Sequence, residues 1–163
     1  MATVSVRYIV HDVDAAIAFY RDDLDFTEVM HPAPAFAMLS RGDLRLVLSA
    51  PGGGPGGGQA MPDGAVPEPG GWNRFSIEVA DLAATVSELR RKGVRFRNEI
   101  VTGVGGKQIL AVDPSGNLVE LFEPALPEAR LSQPSLACAP RQNEPAQGVH
   151  ERTDRRISRI PAT

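Results

Sequence analysis

Few side chains in this 163-residue chain are placed to do chemistry, and those that are carry fixed charge or a hydroxyl rather than an activated nucleophile. In the strand-like run from Arg74 the alternate positions are Arg74, Ser76 and Glu78; in the run from Leu118 they are Leu118, Glu120 and Phe122. Residues two apart share one face of a strand. The first part of the chain offers Ser5, Arg7, Arg45 and Val47 in the same way. Guanidinium, hydroxyl and carboxylate groups among apolar neighbours suit the lining of a small organic ligand's site. The arginines favour an anionic or carbonyl-bearing ligand, because the guanidinium matches carboxylate geometry. Trp72 can stack on a planar ring or close an edge of the core, and Phe36 lies near another edge. Covalent chemistry finds no support. There is no Gly-x-Ser-x-Gly and no histidine beside Cys138. Glu78 and Glu120 are the nearest approach to an acid/base pair, with Glu78 far along its strand. His11, His31 and His150 form neither HxH nor HExxH and read as surface or turn residues.

The elements that must position these groups come from a repeat. Val6 to Val29 (VRYIVHDVDAAIAFYRDDLDFTEV) is echoed from Phe75 (FSIEVADLAATVSELRRKGVRF), with Asp12 matching Asp81 at an offset of 81 − 12 = 69. In each copy a strand meets an aspartate that can cap the helix that follows. Val13, Ala16, Ile17, Tyr20 and Leu24 form one apolar helical stripe, and Leu82, Val86 and Leu89 form the other. Strands are expected at 4–10, 26–31, 35–41 and 43–49, then at 73–79, 95–102, 107–112 and 117–122. Arg41-Gly42-Asp43 and Asp113-Pro114-Ser115-Gly116-Asn117 mark turns between neighbouring strands. The expected organisation is a first module at 1–50, a linker at 51–71, a second module at 72–125 and a disordered tail at 126–163.

Residues 51–71 hold nine glycines and five prolines, a linker composition. A phosphate-cradling loop needs a helix N-terminus after it, and here a strand follows. The tail's Arg152, Arg155, Arg156 and Arg159 are interspersed with acidic residues and read as solvated. A net charge of −3 gives no reason to expect nucleic acid. One cysteine excludes a disulfide framework and a cysteine zinc site. With no signal pattern and no membrane-length apolar run, a cytoplasmic protein is expected.

Two strand–helix–strand–strand–strand modules resemble the vicinal oxygen chelate superfamily, which includes glyoxalase I, extradiol dioxygenases, fosfomycin-modifying enzymes and bleomycin-binding resistance proteins. The resemblance is carried by Val10-His11-Asp12-Val13-Asp14-Ala15-Ala16-Ile17-Ala18-Phe19-Tyr20, by Leu24-Asp25-Phe26 where the family has Leu-Gly-Phe, and by Asp113-Pro114-Ser115-Gly116-Asn117-Leu118-Val119-Glu120-Leu121. It implies an α+β fold: paired βαβββ modules forming a curved mixed sheet, helices on the outer face, a concave cavity inside, and a homodimer.

The resemblance also implies four metal-ligand positions, two at the first strands and two at the last. They fall on Ser5, Val47, Arg74 and Glu120, and only Glu120 is a usual ligand. A catalytic metal site needs about three protein ligands, and arginine cannot shed its charge to make room for a cation. The reading is therefore that Arg74 partners Glu120 in place of a metal. The function expected is metal-independent binding of a small organic molecule, with Ser5, Arg7, Arg45, Val47, Trp72, Arg74, Ser76, Glu120 and Phe122 as candidate ligand-binding residues. No cofactor is expected. The alternatives are a metal-dependent lyase, isomerase or dioxygenase of the glyoxalase type, with a divalent metal on Glu120, and a regulatory or scaffolding module.

Overall fold

The computed structural model describes residues 4–52 and 57–131. The chain runs β1 (Val4–Ile9), α1 (Val13–Ala18), a π-helical turn (Phe19–Asp23), β2 (Thr27–Ala33), β3 (Phe36–Arg41) and β4 (Leu44–Ser49). It then repeats as β5 (Arg74–Glu78), α2 (Leu82–Arg91), β6 (Arg95–Phe96), β7 (Val101–Thr102), β8 (Gly106–Val112) and β9 (Leu118–Pro124). This is the α+β pair of βαβββ modules read from the repeat. The strands form two mixed sheets, ordered β1-β4-β3-β2 and β5-β9-β8-β6, with β7 also pairing β8. Each module's first strand lies parallel to its last, β1 on β4 and β5 on β9.

Asp12 and Asp81 cap the two helices as their spacing predicts. The Asp12 carboxylate accepts from the Ala15 N–H at 3.0 Å and Asp81 from that of Ala84 at 2.9 Å. The apolar stripes read from the sequence are buried in full, from Val13 to Leu24 and from Leu82 to Leu89. The helix repeats differ by one residue. Asp25 stands thirteen positions after Asp12 (25 − 12), and Gly93 twelve after Asp81 (93 − 81); both have positive φ, 56° and 90°. The extra residue is taken up by the π-helical turn at Phe19–Asp23, whose wider winding inserts one residue without turning the stripe away from the core.

One hydrophobic cluster spans both modules. Tyr8 of β1 stacks on Phe75 of β5 with ring centroids 5.4 Å apart, and Phe26 packs edge-on to Phe75 at 6.0 Å. The Tyr8 hydroxyl donates to the Leu118 carbonyl at 2.6 Å, so β1 is tied to the start of β9. The turn before β9 completes the joint. Asp113 is buried and accepts from Tyr20 Oη, from the Ser115 and Asn117 N–H groups and from Asn117 Nδ2. The same Asn117 amide donates to the Ile9 carbonyl at 2.9 Å, and its oxygen accepts from the Gly70 N–H at 2.8 Å. A buried polar cluster is stabilising only when its members are satisfied, and these are.

Three expectations change. The strand read over 95–102 is broken into β6 and β7, because the Asn98 side chain accepts from the Leu110 N–H and takes the place of a strand neighbour. The 51–71 stretch contains no helix or strand among its described residues, yet it is anchored: Gly70 to Asn117, and Gly57 packed on the Arg7 side chain. Residues 126–131, read as the start of the tail, include a 3-10 turn at Pro127–Ala129 and a bond from the Leu131 N–H to Glu78. Residues 132–163, with Cys138, His150 and the tail arginines, lie outside the described residues.

Candidate functional site

β5 and β9 build the centre of the site. Their register sets Arg74 opposite Leu118 and Ser76 opposite Glu120. Period-two alternation puts Arg74, Ser76, Glu120 and Leu118 on one face, away from the buried Ile77 and Val119. Arg74 Nε donates to Glu120 Oε2 at 2.9 Å, and Ser76 Oγ donates to Glu120 Oε1 at 2.9 Å. Each carboxylate oxygen therefore has its own donor, and the carboxylate cannot swing without losing one of them. Arg74 Nη1 also reaches the Trp72 carbonyl at 3.3 Å. Glu120 keeps 16% of its side-chain exposure and Arg74 36%, so the pair faces an opening rather than the core.

Trp72, Asn73, Arg74, Ser76 and Glu120 line one hollow of about 370 Å³. Trp72 does not close the core edge: it is 63% exposed at the rim. The Arg97 guanidinium lies over the indole, 4.3 Å from the ring centroid, a cation–π contact. Arg97 did not emerge from the sequence, because 95–102 reads as one continuous strand; it stands in the break that Asn98 creates.

The first module's candidates lie apart from this hollow. Ser5, Arg45, Arg7 and Val47 share a face, since β1 pairs Ser5 with Arg45 and Arg7 with Val47. Ser5 and Arg45 are exposed, and among the described residues the Arg45 side chain makes only a 3.6 Å contact to Met38 Sδ. Val47 is buried. Arg7 Nη1 donates to the buried Ser49 Oγ at 2.5 Å. Phe122 is half-buried, with its ring close to Gly106. Of the first-module candidates, Arg7 shares a cavity with Arg74, a cleft between β1 and β5 of about 270 Å³.

A larger hollow of about 650 Å³ lies at the far end of β5 and includes Ser76 and Glu78. Glu78 is engaged there by the Leu131 N–H at 2.7 Å. His11 is exposed, and His31 stands 3.8 Å from Asp14.

The four positions that the resemblance assigns to a metal carry Ser5, Val47, Arg74 and Glu120, and this donor set does not fit a divalent ion. One position offers a carboxylate whose two oxygens are already bonded, and another holds a permanent cation 2.9 Å from it. Among the described residues no three His, Cys, Asp or Glu side chains converge as a metal site. No described helix is long and apolar enough to cross a membrane.

A family model described as Glyoxalase/Bleomycin resistance protein/Dioxygenase superfamily matches residues 3–121. No curated protein matches the chain. Among solved structures, lactoylglutathione lyase from Agrobacterium tumefaciens is 24% identical, with 75% of this chain and 92% of that one covered at a TM-score of 0.58. An antibiotic binding protein from Streptomyces sp. CB03234 is 21% identical, with coverages of 77% and 97% and a TM-score of 0.58. The bleomycin-binding protein of Streptomyces verticillus, complexed with copper(II)-bleomycin, is 22% identical, with coverages of 76% and 96% and a TM-score of 0.51.

Proposed function

The chain belongs to the Glyoxalase/Bleomycin resistance protein/Dioxygenase superfamily, and from that premise we propose that it is a metal-independent binder of a small, planar organic molecule. The observation that carries the reading is the double hold on Glu120, by Arg74 at one oxygen and Ser76 at the other. The superfamily's metal position has become a fixed pair of opposite charges. A fixed donor and acceptor beside an exposed indole orient a ligand that carries both a ring and polar substituents. Arg97 covers the free indole face and is the group that a stacking ligand would displace or sandwich. The working assembly is a homodimer; the edge strand β2, with Val29 and Met30 exposed, is compatible with such an interface. The antibiotic- and bleomycin-binding relatives have the fold in common with this chain, and their ligands are starting points for a screen.

The test is a thermal-shift screen of planar organic compounds on the full chain, since a ligand that prefers the folded state raises its apparent stability. The expected result is a set of hits that shift the wild type and no longer shift Arg74→Gln, Glu120→Gln or Trp72→Ala. Hits that bind all three variants as they bind the wild type would place the ligand elsewhere and overturn the reading.

A further inference from the structure

We propose that the cleft between β1 and β5 is an oxyanion subsite, with Arg7, Asn73 and Arg74 as its donors. The inference rests on the Trp72 hollow being a ligand site and adds a carboxylate or phosphate to the chemistry of that ligand. Asn73 and Arg74 line both the hollow and the cleft, so one molecule can lie across the two.

The donors that remain free set the chemistry. Arg74 uses Nε on Glu120 and Nη1 on the Trp72 carbonyl, and makes no bond through Nη2 among the described residues. Arg7 makes one side-chain bond, to the neutral Ser49 hydroxyl, and no carboxylate stands within ion-pair distance of it among the described residues. A guanidinium has five N–H donors in a planar fork that matches two oxygens of one anion. Among the described residues, most of the Arg7 fork and its whole charge are therefore unspent.

Arg7 is also held in place. Gly57 packs so closely on its side chain that a Cβ at that position would overlap the guanidinium. Together with the Ser49 bond, this fixes the fork before a ligand arrives, which lowers the ordering cost of binding. The other polar groups of the cleft are already engaged: Tyr8 donates to the Leu118 carbonyl, and the Asn117 amide is shared among Ile9, Asp113 and Gly70. Glu68 is the one acidic side chain lining the cleft among the described residues, and it is exposed on the loop. Its repulsion of an anion is screened by solvent and salt.

Trp72 is the chain's one tryptophan and the neighbour of Asn73, so its fluorescence reports on the cleft. Sodium phosphate, sodium benzoate and neutral benzamide are titrated into the full chain, at ionic strength held constant with sodium chloride. The proteins are the wild type, Arg7→Gln, Arg7→Lys and, as a remote control, Arg95→Gln. The expected result is saturable binding of phosphate or benzoate, weakened roughly tenfold or more by Arg7→Gln, as for loss of a charged hydrogen bond. Arg7→Lys retains part of the affinity and Arg95→Gln all of it. Binding of phosphate alone identifies a phosphate subsite, and of benzoate over benzamide a carboxylate subsite. Anion affinity equal in Arg7→Gln and wild type, or benzamide bound as well as benzoate with phosphate inert, overturns the subsite and leaves the Trp72 hollow standing as a ligand site. Silence toward all three probes also overturns the subsite. If the thermal-shift screen is blank as well, the binding function falls with it.

Discussion

Arg74 and Glu120, 46 residues apart in sequence, are joined by a 2.9 Å bond from Nε to Oε2 across parallel strands, and Ser76 holds the carboxylate's other oxygen. The arrangement is a pre-set pair of opposite charges with no net charge. Because Arg74 is over a third exposed, solvent screens the attraction, and the pair contributes only about 1 kcal/mol to folding. A double-mutant cycle with Arg74→Gln and Glu120→Gln is expected to give a coupling of about that size in denaturant melts. Under the proposed function, ligand binding is expected to fall far more than stability does. A coupling of several kcal/mol would instead mark a structural ion pair.

Asp25 is the one described non-glycine residue with positive φ, at 56°, and its side chain is exposed with no hydrogen bond among the described residues. Its counterpart after α2 is Gly93. A left-handed backbone strains a residue with a Cβ by about 1–2 kcal/mol, less for aspartate than for most. Part of that gain is offset because glycine loses more freedom on folding. Asp25→Gly is therefore expected to raise stability by about 0.5 kcal/mol, and Asp25→Val to lower it, measured by thermal melts.

Asn117 ties Ile9 of the first module and Gly70 of the loop to Asp113. Asn117→Ala leaves a half-buried carbonyl, a half-buried loop N–H and part of a buried carboxylate without partners. At about 1 kcal/mol for each unpaired group, the loss is about 3 kcal/mol. Asn117→Asp should fare no better, because it sets a second carboxylate against Asp113. Chemical denaturation of both variants checks this.

Burial pushes the Tyr8 phenol up to about 12, and burial likewise raises Tyr20 well above the ordinary tyrosine value. A folded-state pKa above the unfolded one means that the stabilising contribution is fully present below the ordinary value of about 10. It is lost as pH rises toward 12, because the unfolded chain ionises first. Stability should therefore fall between pH 10 and 12. Tyr8→Phe should flatten that fall while costing about 1 kcal/mol at neutral pH, through the unpaired Leu118 carbonyl. Melts across the alkaline range decide it.

On the acid side, the Leu82 N–H, then Lys107, hold the Glu123 carboxyl below its usual range. Its contribution is present above the ordinary carboxylate value and is lost as pH falls through the lowered one. Glu123→Gln should lower stability at neutral pH and lessen the loss on acidification, seen in acid melts.

The fold was legible because a 69-residue repeat fixes two helix caps and two apolar stripes, and each residue of those stripes is buried. The Arg74–Glu120 relationship was legible from period-two alternation together with the superfamily resemblance. Ser76 was placed beside the pair, but its bond to Glu120 depends on which residue of β9 stands opposite it, a register that alternation alone does not give. Arg97 was hidden because Asn98 diverts the strand by a side-chain bond, and periodicity records only apolar and polar positions. Composition likewise marks 51–71 as a Gly/Pro-rich linker or loop but does not reveal that Gly70 and Gly57 are seated against Asn117 and Arg7. The π-helical turn did leave a signal, in the thirteen-against-twelve spacing from aspartate to left-handed residue.

The most direct measurement is the divalent-metal content of untagged full chain purified without chelator, then titrated with Mn, Fe, Co, Ni and Zn. Metal-independent binding predicts substoichiometric metal and no saturable uptake, because Arg74 and Ser76 already hold both oxygens of Glu120. One equivalent of metal per chain, lost in Glu120→Gln, would contradict it and make the chain a metalloenzyme candidate.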